Sequence, residues 1–356
     1  MKKNKKRSLL WSHLPFLPLD FILLNKTFMQ APIRWGILAT GKIAHKFATG
    51  LAALPDAQLQ AVASRDQSKA EAFAQEFGAI TAHGSYEALA ADPLVDIIYV
   101  ASPHALHHAH TLLCLRQGKH VLCEKPMALN ARQAEEMFEA ARLHNCFLME
   151  AMWTRFLPAW QEVSQWLAQG LVGEVRLLQA DFCFRSGTFD PQSRNFNLEL
   201  GGGALLDIGI YPIALAYQVF GEDPVEVKST ASLGPTGVDE QSSYLFRYAN
   251  GAQAVLSSSF QTHGPKEAII NGTQAAIRVP LFWRASEAQL LHHMAEPEVH
   301  TFPLEASGLQ YQAVSVMADL RAGRTANETM PPTETLRIMR MMDRLREDWG
   351  LRYPGE

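Results

Sequence analysis

The sequence predicts an α/β protein in two parts. An N-terminal parallel sheet is wrapped by helices, and a C-terminal α+β domain carries a large open, mostly antiparallel sheet. Three observations predict this. From Ile33 to Met149, short apolar runs alternate with helical periodicity at βαβ spacing. After about Ala151, long segments of alternating polarity take over, separated by Gly, Asn and Pro turns. The first apolar run ends in Ala39-Thr40-Gly41-Lys42-Ile43-Ala44, a turn of small residues opening a helix.

In chain order, Ile33–Leu38 reads as a buried strand, and Ile43–Leu54 as a helix stopped by Pro55-Asp56. Leu59–Ser64 is the second strand and Gln67–Phe77 a helix ended by Gly78. A short strand at Ala79–Thr81 and a helix opened by Ser85 follow. Asp96–Ala101 is a strand, His104–Gln117 a helix stopped by Gly118, and His120–Cys123 another strand. Asn130 caps a helix running to about His144, and Cys146–Met149 closes the first part. The second part opens with a helix, Leu157–Gln169. Strands follow at Glu174–Phe184, Val225–Leu233, Ser242–Tyr248, Ala252–Phe260, Glu267–Asn271 and Ala275–Val279. Asn250-Gly251 and Asn271-Gly272 are hairpin signals. Helices at Gln310–Ala322 and Thr333–Trp349 end the chain. The predicted organisation is a leader (1–30), a nucleotide-binding domain (31–152), a substrate and oligomerisation domain (153–330) and a C-terminal helix and tail (331–356).

The chain has 356 residues, 47% of them apolar, with a formal charge of −4, enough for two globular domains. This mild charge leaves no clustered basic face for nucleic acid. In the leader, Lys2, Lys3, Lys5, Lys6 and Arg7 precede an apolar stretch, Leu9–Leu24. Pro15, Pro18 and Asp20 break that stretch, which fits neither a secretory signal nor a bilayer span. It reads as disordered or mis-started, with Met29 a candidate natural start. Cys114, Cys123, Cys146 and Cys183 form no CxxC pair and read as reduced, buried thiols, which points to the cytoplasm.

The turn after the first strand has phosphate-binding chemistry. Aligned to G-x-G-x-x-G/A, its three key positions are Ala39, Gly41 and Ala44. The middle one must lack a Cβ so that backbone can approach a pyrophosphate, and the last must be small so that the helix packs on the sheet. The first-turn N–H groups at Lys42 and Ile43 face an anion with the positive end of the helix dipole. Ala39 departs from the pattern. Where an NAD site places an acid, at the end of the second strand, stand Ser64 and Arg65. A hydroxyl and a guanidinium suit a 2′-phosphate, so NADP is favoured over NAD. Asp66 is the alternative partner for the ribose.

Glu124-Lys125-Pro126 follows the strand His120–Cys123, at the carboxyl edge of a parallel sheet, where ligands bind. A lysine there can orient or protonate a substrate oxygen. Pro126 fixes the turn, and X-Pro bonds are where cis peptides occur. Other marked stretches are Ser102-Pro103-His104-x-x-His107, Glu150-Ala-Met-Trp153-Thr-Arg155-Phe156, Gly201-Gly-Gly-Ala-Leu-Leu-Asp207-Ile-Gly209-Ile-Tyr211-Pro212, Gly272-Thr273 with Ile277-x-Val279-Pro280, Glu334-Thr335-Leu336 and Trp349-Gly350-Leu351. From Ile33 to Pro354 the chain thereby resembles the glucose–fructose oxidoreductase/inositol dehydrogenase (Gfo/Idh/MocA) family. Within it, the chain looks most like the dimeric dihydrodiol dehydrogenase and NADP-dependent D-xylose 1-dehydrogenase group.

The resemblance implies a Rossmann domain and an NAD(P)-dependent dehydrogenase acting on CH–OH donors, with a sugar, polyol or trans-dihydrodiol as substrate. It implies that Lys125 contacts the reacting oxygen, that Asp207 orients substrate beside it, and that Tyr211 donates or accepts the proton. Many family members have His in place of Tyr211. Asp207 and Tyr211, four apart, are expected on one side of a helix beginning near Gly201–Gly203. Lys125 is expected to lower the phenol's pKa. Thr40, Ser102, Pro103, His104, His107 and Glu124 are expected to line the cofactor. Trp153, Arg155 and Phe156 are expected to wall the substrate, with Phe184, Phe189, Phe196 and Phe282 as further wall candidates and Arg185 and Arg194 guarding the pocket. The histidines at 104, 107, 108 and 110 lack the partners a metal centre needs. Ser257-Ser-Ser259 lacks a nucleophile elbow. A homodimer or higher oligomer through the open sheet is expected. The rival class is a non-catalytic NADP-binding sensor, which has no need of Lys125, Asp207 and Tyr211 together.

Overall fold

The structure, a computed structural model, describes residues 31–356. The leader expectation lies outside the described residues. The first sheet is built from β1 (Ile33–Leu38), β2 (Ala57–Ala63), β3 (Thr81–His83), β4 (Ile97–Val100), β5 (His120–Glu124) and β6 (Leu148–Ala151). All pair in parallel, in the order β3-β2-β1-β4-β5-β6. Between them run α1 (Lys42–Leu51), α2 (Gln67–Phe77), α3 (Tyr86–Ala91), α4 (His107–Arg116) and α5 (Ala131–Leu143). β4 and β6 are buried throughout, as continuous apolar runs between helical layers must be. The order reverses direction between β1 and β4, and their carboxyl ends open the crevice where such sheets bind ligands.

Helix ends follow local chemistry. Asp66 caps α2 by accepting from Ser68 N, Gly78 ends it in the left-handed region, and Asn130 Oδ1 caps α5 through Gln133 N at 2.9 Å. That Gly78 ending also moves β3. The N–H groups of Gly78 and Ala79 both bond Ala74 O, so Ala79 still belongs to the helix terminus. The strand therefore spans Thr81–His83 and not Ala79–Thr81.

The second sheet follows α6 (Pro158–Ala168). Its strands are β7 (Val175–Cys183), β8 (Glu226–Leu233), β9 (Asp239–Arg247), β10 (Gln253–Ser259), β11 (Ala268–Gly272), β12 (Ala275–Val279), β13 (Glu287–His292) and β14 (Glu298–Thr301). They run in the order β14-β13-β12-β11-β7-β10-β9-β8, antiparallel except for the β7–β10 pair. β13 and β14 were not anticipated; both are short, and β14 is a largely exposed edge strand.

The inner face of this sheet packs on α7 (Ile210–Phe220), whose residues Ile210–Tyr217 are all buried. The apolar span Leu198–Phe220 is long enough to cross a membrane, yet 83% of its most apolar window is buried, which makes it a core segment. After α8 (Gln310–Arg321), α9 (Pro332–Trp349) packs on α5, α7 and β8 and so touches both sheets' layers.

Candidate active site

The turn after β1 has the form of a phosphate cradle. Ala39 adopts φ 82°, Gly41 is the N-cap of α1 without a side-chain cap bond, and a Cβ built on Gly41 would meet nothing within 4 Å. The backbone at Gly41 is therefore open to close approach at the N-terminus of α1, and Thr40, Lys42 and Ile43 flank it at the surface. Ala44 is fully buried under the sheet. At the end of β2, Ser64 is buried and Arg65 exposed. Asp66, the other candidate for the ribose, is occupied: Oδ1 accepts from Ser68 N at 3.0 Å and from Ser68 Oγ at 2.7 Å. These residues fit a 2′-phosphorylated dinucleotide. Tyr86, missed in the sequence, lies against Arg65.

The loop after β4 brings Ser102, Pro103 and His104 to the same edge. Ser102 Oγ bonds His110 Nδ1 at 2.9 Å, and His104 Nδ1 bonds Gly201 O at 2.9 Å. Burial lowers His104 to about 3, partly offset by Asp207, so the ring is neutral. His107 corrects the expectation of a cofactor contact. It is fully buried, with Nδ1 2.7 Å from Pro126 O and Nε2 2.8 Å from Ser102 O; burial lowers it to about 4, so the neutral ring donates to one of these two carbonyls and only abuts the other. Its ring ties the loop after β4 to the turn after β5.

Lys125 leaves the end of β5, and the Lys125–Pro126 peptide is cis. Its Nζ donates to Asp207 O at 2.5 Å and to Asp207 Oδ1 at 3.1 Å. Burial pulls the ammonium's pKa down, but Tyr211, Asp207 and Glu124 outweigh it and the net shift is upward. Burial likewise opposes the Asp207 carboxylate, yet Lys125, Arg194 and His104 hold it well below the usual carboxylate range. Arg194 reaches Asp207 from the open side, Nη2 to Oδ2 at 3.1 Å, with 63% of its side chain exposed. Glu124 is raised by burial, against the pull of Lys125, and accepts the Tyr99 hydroxyl bond.

Asp207 and Tyr211 do not share one regular helix. Gly201 ends a single turn, Leu198–Leu200, in the left-handed region; Leu205–Gly209 then forms a π turn, and α7 begins at Ile210. Such wide turns recur at functional sites. Lys125 Nζ lies 5.0 Å from the Tyr211 ring centre, and the Tyr211 hydroxyl accepts from Trp153 Nε1 at 3.0 Å. Lys125 pulls the phenol's pKa down, as expected, but not far enough to lower it overall. Burial raises Tyr211, and the opposing lysine only moderates it, so the group is a neutral phenol at pH 7.

Trp153 thus belongs to the site, whereas Arg155 is engaged elsewhere. Its guanidinium bonds Ala214 O at 2.9 Å and Glu334 Oε1 at 2.6 Å, buried in the framework, which corrects its assignment to substrate. Phe156 is buried beside it. The aromatic wall includes two residues the sequence reading missed: Phe182 packs on Tyr211 and stacks on Trp283 at 5.0 Å between centres. Phe182 occupies an inward position of β7, so the alternation carried its signal; Trp283, in a short turn, had none. Phe184, Phe260, Phe196 and Phe189 form a connected aromatic run on the same side, while Phe282 is fully buried.

A parallel sheet with a small-residue turn after β1 and a buried lysine, carboxylate and phenol grouped at the end of β5 is the arrangement of a nucleotide-dependent oxidoreductase. The chain belongs to the GFO/IDH/MocA oxidoreductase family: the model of its NAD-binding Rossmann domain matches residues 33–152, and that of its C-terminal domain residues 160–278. The chain is accordingly an enzyme, a dehydrogenase of the class acting on CH–OH donors. It is 39% identical to trans-1,2-dihydrobenzene-1,2-diol dehydrogenase of Xenopus laevis, over 90% of this chain and 99% of that protein. It is 34% identical to the Homo sapiens protein of the same name, over 91% and 99%. Among solved structures, a 3-ketoreductase from Actinomadura kijaniata in complex with TDP-benzene and NADP superposes with a TM-score of 0.77 at 26% identity, covering 88% of this chain and 97% of that one. Levoglucosan dehydrogenase, at 20% identity, shares the fold with a TM-score of 0.81, covering 90% and 97%.

Proposed function

We propose that this enzyme interconverts a CH–OH and a C=O group of a sugar, polyol or trans-dihydrodiol using NADP, with Tyr211 as acid/base and Lys125 and Asp207 orienting the reacting oxygen. One observation carries the reading: the buried Tyr211 hydroxyl accepts from Trp153 Nε1, which leaves its own proton free, beside a lysine held by Asp207. NADP over NAD is supported by Ser64 and Arg65 at the end of β2 and by the commitment of Asp66 to capping α2.

When bound, the nicotinamide supplies or accepts the hydride. The protein's residues manage the proton and the charge. In reduction, Tyr211 Oη is the protonated donor to the substrate oxygen, and the Lys125 ammonium stabilises negative charge developing there. Asp207 fixes that ammonium, and Trp153 fixes the phenol. In oxidation, the same hydroxyl must first lose its proton, so the rate rises toward alkaline pH. The aromatic surface of Phe182 and the half-buried Trp283 suits the apolar face of a sugar or a diol ring.

The enzyme is proposed to be cytoplasmic and a homodimer joined through the outer face of the second sheet. The four cysteines are free and buried, which supports a reducing compartment. Leu245 and Val255, cross-strand partners on that outer face, are 39% and 45% exposed. A broad open sheet with apolar residues at its centre is a surface that a second copy covers.

The test is reduced-nicotinamide absorbance with NADP or NAD against aldoses, polyols and trans-dihydrodiols, for the parent and Tyr211→Phe. Turnover with NADP is expected, and the variant should lose roughly 10²–10⁴-fold in kcat. A variant as fast as the parent overturns the role of Tyr211; turnover with NAD alone overturns that of Arg65.

A further inference from the structure

The backbone leading into Asp207 is held from two places far away in sequence. On one side, Asp239, the first residue of β9 and fully buried, accepts from Leu205 N through Oδ2 at 2.7 Å. Its other oxygen, Oδ1, lies so close to Gly203 that a Cβ there would run into it. Gly203 has φ 117°, a conformation that favours glycine, so the close approach and the backbone shape require the same residue. On the other side, the Tyr353 hydroxyl, from the C-terminal tail, donates to Gly202 O at 2.6 Å and lies 3.1 Å from that same added Cβ.

Tyr353 is anchored in turn. Arg346 lies over its ring at 5.0 Å, and its backbone N donates to Glu356 Oε2 at 2.8 Å. Arg346 Nη2 bonds Glu356 Oε1 at 2.7 Å and Leu129 O at 3.0 Å, and Asn130 Nδ2 donates to Glu356 Oε1 at 3.2 Å. The last residues of the chain thus connect the segment just after Lys125 with the segment just before Asp207.

We propose that Asp239 and Tyr353 are positioning residues that set the placement of Asp207 and Tyr211 against Lys125, making the C-terminal tail part of the active-site framework. The proposal rests on the catalytic reading of Asp207 and Tyr211 given above. Neither residue is placed to touch substrate. Each holds one peptide group of the Gly202–Leu205 stretch, and the π turn carrying Asp207 starts at Leu205. A loosened lead-in lets the carboxylate drift from Lys125, and small misplacements of oriented groups reduce turnover steeply.

Tyr353→Phe, Asp239→Asn and Asp239→Leu test this, each measured for kcat, KM, NADP binding by fluorescence titration, and amide exchange of the 201–211 segment by mass spectrometry. Tyr353→Phe is expected to lower kcat about tenfold, the scale of one lost hydrogen bond, with NADP affinity within about twofold of the parent and faster exchange confined to that segment. Asp239→Asn keeps an oxygen for Leu205 N and should stay near the parent, while Asp239→Leu should fall with Tyr353→Phe. A folded Tyr353→Phe with parent kcat and parent exchange overturns the proposal. So does a loss of kcat matched by an equal loss of NADP affinity, which is general loosening. Exchange does not depend on which residue transfers the proton. Faster exchange in Tyr353→Phe alongside a fully active Tyr211→Phe would therefore sink the catalytic reading and leave the framework role of the tail standing.

Discussion

Ala39 is held at φ 82°, in a region that disfavours any residue with a Cβ, at the point where the backbone turns from β1 toward the helix N-terminus. Glycine there removes the clash and returns some chain entropy to the unfolded state, two effects of opposite sign. Ala39→Gly is expected to stabilise the protein by roughly 0.5–1 kcal/mol, read as a higher urea midpoint at unchanged slope. A lower midpoint would show that the strain is absent. Residues carrying a motif, such as Lys125, Asp207 and Tyr211, were legible in the sequence. Their electrostatics were not, because burial outweighs Lys125 at the Tyr211 hydroxyl and burial cannot be read from a four-residue spacing. Nor could sequence show that Arg155 spends its guanidinium on Glu334, a partner 179 positions away.

At the scale of elements, the parallel sheet was legible because continuous apolar runs between helical patterns admit few alternatives, and the crossovers fix their order. What escaped was set by hydrogen bonds that composition does not announce: the α2 terminus that displaces β3, the π turn at Leu205–Gly209, and the edge strands β13 and β14. The second sheet also presents a face that the helices do not cover. Across its centre, Leu245 opposes Val255, Val255 lies beside Gln179, and Gln179 opposes Ile269, a row with two exposed aliphatic side chains and no charge. Replacing Leu245 and Val255 by glutamate puts two like charges opposite each other, which a covered interface cannot hydrate. Sedimentation is expected to show a dimer for the parent and a monomer for the double variant. An unchanged mass for the variant would move the interface off this face.

The molecule as a whole buries carboxyl groups whose titration opposes that of its active site. Glu150, at 0% exposure in β6, is pushed up to about 7 by burial, and Asp239 is pushed to about 7 for the same reason. A carboxyl whose folded pKa lies above its unfolded value binds more protons in the folded state, so stability falls as pH rises between the two values. Asp207 has the opposite sign: its depressed pKa contributes stability above the unfolded value that is lost as the solution becomes strongly acidic. Taken together, these three groups give a stability that is greatest near pH 4 and declines toward pH 7. Glu150→Gln isolates one contribution. The amide keeps an oxygen for Met127 N, which Glu150 Oε1 accepts at 2.9 Å, and turns an N–H toward the Thr335 hydroxyl, whose oxygen has no partner among the described residues. The raised pKa, from an ordinary 4.5 to about 7, corresponds to at most about 3 kcal/mol at pH 8. Denaturant unfolding should show Glu150→Gln gaining stability at pH 8, little change at pH 4.5, and a shallower decline between them. A variant that tracks the parent across that range would mean that Glu150 is ionised in the folded protein at little cost, with Arg155 balancing its charge.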